Sequence, residues 1–305
     1  SFSSLSLGSL TLMLVDGVSA ALFGVELLQL HVAAILSFYV LFQLATDRQF
    51  HVNFRLFLSC LVLRCFVFAA NRSFLIVERI CCIGDSQASK FFVFAPYVFF
   101  NLGRLGLLGT ALERAAAAAW PAAYDRRASE APVRVAILVV VVLVTFFVSA
   151  VQTWRFFPYE DWMTVVYFVL NTTFSSLVTL YLYLQCRQTH KQRHEMRLEL
   201  SERMQTRESL AATRLFLPLS LHELMTSLVF AGLFIYSVCF TPFPYGTDTT
   251  KLSHAYDNLQ AWQCLFSAGY LSIVLRRRRR HLPLMPKAGK DVSEVYFDVL
   301  NKQWN

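Results

Sequence analysis

Glu113 and Arg114 stand side by side at the end of a long apolar run, followed by Ala117, Tyr124 and Asp125. An arginine keeps its charge at any physiological pH and donates several N–H groups at once, so a neighbouring carboxylate can hold it and an incoming protein can take it over. The chemistry on offer is reversible charge pairing. Bond-making chemistry is not signalled: no His-Glu-x-x-His pair, phosphate loop or nucleophile elbow occurs, and the seven His residues lack metal-site spacing. The expectation is a chain with no catalytic residue, no metal and no cofactor.

Two further arginines, Arg64 and Arg104, fall inside apolar runs. An isolated charge there costs about 2.5–3.5 kcal/mol on insertion scales and so needs a partner or a wet cavity. Glu26 and Glu223 are the acids at comparable positions, with His222 beside the second. An Arg104 to Glu223 pair is expected, either as a structural bridge or as a ligand contact, within a polar network that includes Arg64 and Glu26.

Membrane helices must position these side chains. Of the 305 residues, 56% are hydrophobic, 15% aromatic and only 16% charged, and the mean hydropathy is +0.47. Those values exclude an ordinary soluble domain. A helix crossing the ~30 Å hydrocarbon layer needs roughly 20 mainly apolar residues, and the runs at 18–45, 54–70, 91–112, 133–151, 163–184, 215–240 and 259–275 are read as seven spans. The second could run on through Phe74 and Val77. The fold class expected is an all-α membrane protein, a seven-transmembrane bundle over residues 1–275 with a basic tail over 276–305.

The net charge of +8 matters less than where the cations lie. Of 28 Lys and Arg residues, 21 fall in the segments after the first, third, fifth and seventh spans or within two residues of them (Arg55 and Arg134), and five, Arg72 and Arg79 among them, fall on the opposite side. Lys and Arg resist translocation, so the N-terminus is expected outside and the tail in the cytoplasm. The chain shows no initiator Met and no basic flank of a cleavable signal, so it is expected to lack its true start and to use the first span as an insertion signal.

With that orientation Glu113 and Arg114 sit at the inner end of the third span, and the string Glu113, Arg114, Ala117, Ala118, Tyr124, Asp125 resembles a motif of nematode serpentine chemoreceptors. That motif runs Glu-Arg-x-x-Ala-Thr, five residues, Tyr-Glu; Ala118 and Asp125 depart from it. In the tail, Tyr296, Phe297, Leu300 and Trp304 resemble the ending of the Sre family within the Sra superfamily. The resemblance implies a G-protein-coupled chemosensory receptor of the plasma membrane, in a sensory neuron cilium. It further implies a small-molecule ligand outside and a heterotrimeric G protein inside, the latter touching Glu113, Arg114, Ala117, Tyr124 and Asp125. The rhodopsin-like Asn-Pro-x-x-Tyr and Cys-Trp-x-Pro strings are missing from the seventh and sixth spans. A seven-span ligand-gated channel and a transporter are the alternatives; an inside N-terminus would mark the first, and repeated halves the second.

Lesser signals fall in the connections. Trp154, Tyr159 and Trp162 mark a short aromatic outer loop that roofs a ligand pocket or forms an interfacial belt. Cys81 or Cys82 with Cys239 is the remaining candidate for an outer disulfide, and the other cysteines are expected to be packing residues. Asn71-Arg72-Ser73 is a glycosylation acceptor if the second span stops at residue 70, whereas Asn171-Thr172-Thr173 lies mid-span. Met196, Leu200 and Met204 suggest that the fifth and sixth helices extend inward, and Val292, Val295 and Val299 suggest an amphipathic tail helix. Arg276 to Arg280 reads as a stop-transfer cluster on anionic inner-leaflet lipid rather than a nucleic-acid patch.

Overall fold

A computed structural model of the chain describes residues 17–46, 52–80, 87–119, 131–154, 160–191, 200–240 and 251–280, and all of these are helical. The helices are α1 (Gly17–Thr46), α2 (Val52–Ile80), α3 (Gln87–Ala119), α4 (Ala131–Trp154), α5 (Glu160–Lys191), α6 (Leu200–Phe240) and α7 (Lys251–Arg280). Each contains one of the apolar runs and continues past it. By length and apolarity, Ala21–Thr46, Val52–Phe74, Trp162–Gln188 and Ser209–Ser237 can each cross a bilayer, and Leu138–Val151 on α4 is a shorter apolar stretch. The molecule is a helical membrane protein.

The surface composition fits that environment. On α5, Val166, Leu170, Phe174, Leu177, Tyr181 and Leu184 recur every three or four residues and are all exposed, as are Val139, Val140, Leu143 and Phe147 on α4. In water such stripes would aggregate; against lipid tails they are the outer wall. The helix faces turned inward combine apolar side chains with Ser, Thr, Asn and charged ones.

α1 packs on α2 and α7, α2 on α3, and α5 on α6, while α6 meets α7; α3 touches α2, α4, α5 and α6 and is the central post. Its contact with α2 is close because Gly103, Gly106 and Gly109 recur every three residues on one face. A Cβ on Gly106 would lie 2.8 Å from the Phe57 carbonyl oxygen, and one on Gly109 would lie 2.6 Å from the Phe57 ring. Small residues replace the hydrophobic effect as the means of helix association in lipid, because they let backbones approach. α4 is pinned to α3 by Asn101 Nδ2 donating to Ser149 Oγ at 2.9 Å, and α5 to α6 by Ser176 Oγ donating to the Ser220 carbonyl at 2.8 Å.

Two apolar clusters fill the interior. One, toward the end bearing Arg55, Arg114 and Arg276 (the basic end), holds Leu44, Phe54, Leu58, Phe216 and Leu271. The other holds Leu30, Cys65, Phe68, Phe100 and Cys264. Buried Cys60, Cys65, Cys186 and Cys264 are free thiols, and as small apolar groups they behave as packing residues.

α2 differs from the span expected over 54–70. It runs unbroken to Ile80, with Asn71 and Arg72 buried inside the bundle rather than in an outer loop. Arg72 looked like a loop cation, but carboxylates from two neighbouring helices neutralise it, so the helix has no reason to end there. Asn71, 2% exposed on a helix, is thereby removed from the glycosylation sites, since the acceptor must be accessible in a flexible segment. α5 continues past residue 184 to Lys191 and α6 begins at Leu200, so both helices are longer than the apolar spans read in them.

Candidate functional site

Between the two apolar clusters lies a polar layer centred on Glu223. Arg64 grips both of its carboxylate oxygens, Nη1 to Oε2 at 3.1 Å and Nη2 to Oε1. Gln263 Nε2 donates to Oε2, and Ser267 Oγ donates to Oε1 at 3.4 Å. A carboxylate offers about four lone-pair directions. With these donors Glu223 is saturated.

That saturation overturns the expected Arg104 to Glu223 pair. Gly103 decides which arginine reaches the acid: a Cβ there would stand 2.6 Å from Arg64 Cδ, so the missing side chain is the notch through which the Arg64 stem passes. Arg104, one residue on, is turned about 100° around α3 and faces α5 instead. Its Cζ lies 3.1 Å from the Phe168 ring centroid and 5.9 Å from that of Phe100. Nε and Nη1 of this buried guanidinium have no hydrogen-bond partner.

Glu26 likewise belongs to a different arginine from those singled out by sequence. Arg72 Nε donates to Glu26 Oε1 at 2.6 Å, and its Nη2 to Asp257 Oδ2 at 2.6 Å, so one guanidinium ties α1, α2 and α7 together. His222 makes no hydrogen bond through either ring nitrogen and lies flat on Phe266, centroids 3.8 Å apart.

At the basic end of α3, Arg114 Nε and Nη2 both donate to the carboxylate of Glu113. Adjacent helical side chains normally diverge, so both must fold toward each other to form this fork. The two are 4% and 7% exposed, and Arg114 lies 5.1 Å from the Phe54 ring on α2. Ala117 is half-buried on the same helix. Tyr124, Asp125, Tyr159, Cys81 and Cys82 lie outside the described residues, as does the tail helix expected over 292–304. The disulfide to Cys239, itself exposed, therefore falls outside them too. Trp154 ends α4, and Trp162 meets Phe234 edge to face at 5.0 Å while presenting much of its ring outward.

Sequence reasoning missed Arg72, Asp257, Gln263 and Phe168 as members of the polar interior. For Arg72 and Asp257 the signal was one missed span boundary. The repeat Gly103, Gly106, Gly109 was legible as a small-residue face and points directly at the helix that supplies Arg64. Among the described residues no group of three His, Cys, Asp or Glu side chains could hold a metal ion. Neither a protein-family model nor a curated protein matches the chain.

Proposed function

We propose that the chain is a seven-span receptor that senses an environmental chemical from outside and activates a heterotrimeric G protein inside, in the manner of the nematode serpentine chemoreceptors that its Glu113 to Asp125 string resembles. The observation that carries this reading is the buried, forked Glu113–Arg114 pair at the basic end of the central helix. A guanidinium forked onto its own neighbour has Nε and Nη2 engaged within its own helix. This is the resting form of a switch, because a modest movement of α3 against α2 and its Phe54 opens the fork and frees a cation with several donors.

The interior supports a route from outside to that switch. Arg64, Glu223, Gln263 and Ser267 join α2, α6 and α7, so a ligand that prefers one packing of these helices changes the seat of α3 through Gly103. Pro218, five residues before Glu223 within α6, supplies no backbone N–H and is a place where that helix can bend.

The test is a second-messenger assay in a heterologous cell against a panel of chemicals, comparing the chain with Arg114→Ala at matched surface expression. The response is expected to fall at least about tenfold in the variant, in line with the loss of a charge-assisted fork. A full response from Arg114→Ala would remove the switch from the reading.

A further inference from the structure

Of the four buried arginines among the described residues, three have carboxylates: Arg64 has Glu223, Arg72 has Glu26 and Asp257, and Arg114 has Glu113. Arg104 has none within ion-pair distance. It is 3% exposed, and Nε and Nη1 are without partners. Phe168 covers one side of the guanidinium, and a ring face offsets only part of the desolvation of a cation. The hydroxyl of Tyr167, the residue next to Phe168, is also buried without a partner and stands within electrostatic reach of Arg104. Three buried donor atoms without hydrogen-bond partners, on or near a cation that feels Glu223 only from beyond ion-pair distance and after Arg64 has claimed that carboxylate, are what an anion would complete.

We propose that Arg104 and Tyr167 form the anion-binding end of an intramembrane site for a small monocarboxylate with an apolar body. The single unmatched charge selects a monoanion, since a phosphate monoester would bring nearly two negative charges against one. The planar guanidinium fork matches the two oxygens of a carboxylate. The apolar body follows from the neighbours, Phe168 on α5 and Phe100 on α3, whose rings offer no further polar partner. This inference deepens the receptor reading by giving its ligand a chemical class. The same acid could come from water or, as a fatty acid, from the bilayer.

The experiment uses the full chain in nanodiscs of neutral phosphatidylcholine, with thermal unfolding followed by tryptophan fluorescence. Phenylacetate and octanoate are the water-borne probes, oleate the bilayer-borne one, and phenylacetamide and octanamide are uncharged twins. A saturable rise in Tm with an acid but not with the amides is expected. Arg104→Gln should weaken the acid at least about tenfold, Arg104→Lys less, and Tyr167→Phe a few-fold. Arg104→Gln also removes an unmatched buried charge, so its unliganded Tm should rise rather than fall. Should that variant fail to fold, Tyr167→Phe decides the matter, because it leaves the charge in place. No shift from any acid, equal shifts from acids and amides, or an undiminished shift in the variants overturns the site. Which acid acts separates supply from water and supply from lipid. The readout contains no G protein, so a chain that binds acids without signalling refutes the receptor reading alone, and one that signals without binding them refutes only this site.

Discussion

Removing Glu223 alone strands Arg64 in the interior, whereas removing both leaves no charge to strand. Glu223→Gln is expected to destabilise by about 3–5 kcal/mol, and Arg64→Met with Glu223→Leu to recover most of that loss, less about 1–3 kcal/mol for the donors of Gln263 and Ser267. Melting of the purified variants in detergent checks both; equal losses in the single and double variants would mean the two side chains are not coupled. The charged residues themselves were legible in the sequence, because an arginine or glutamate inside an apolar run is conspicuous. Their pairing was not. Arg64 and Arg104 are equivalent candidates for Glu223 until the rotation of α3 is known, and that rotation rests on a glycine whose importance lies in an atom it lacks. The contact between Glu113 and Arg114 was anticipated from their charges, although adjacent helical positions do not by themselves bring two side chains together.

At the scale of the helices, the three glycines of α3 make a sharp contrast with others. A methyl added at Gly106 meets the Phe57 carbonyl, which is backbone and cannot swing aside, so Gly106→Ala should push α2 and α3 apart and destabilise by about 1–3 kcal/mol. Gly24 on α1 has nothing within 4 Å of a built Cβ, and Gly24→Ala should be neutral or gain up to about 1 kcal/mol from helix propensity. Size-exclusion profiles of the two variants after a heat step measure the difference, and comparable losses would remove the special role of this face. The presence of each described helix was legible from an apolar run, since lipid demands long unbroken ones. Helix ends were less so. Arg72 reads as the close of a span only while its partners on α1 and α7 are unknown, and those partners lie 46 and 185 residues away.

At the scale of the molecule, the seven described helices enclose two apolar clusters with a charged and polar layer between them, and their outward faces are largely apolar. With Arg72 assigned to the interior, the charge asymmetry between the connecting segments is steeper than the sequence count made it. Epitopes placed before Gly17 and after Arg280 are expected to label on intact and on permeabilised cells respectively; labelling of the first only after permeabilisation would reverse the orientation and favour a channel. The arginine pairs also set a timetable for biosynthesis. Glu26 is already in the chain when Arg72 is made, but Glu223 follows Arg64 by 159 residues, which at about 5–20 residues per second is roughly 8–30 s of translation. During that interval Arg64 is without the carboxylate that holds it in the finished fold. A chain stopped before α6 would never cover it, and so would carry in its second helix the mark by which cellular quality control can tell an unfinished copy from a finished one.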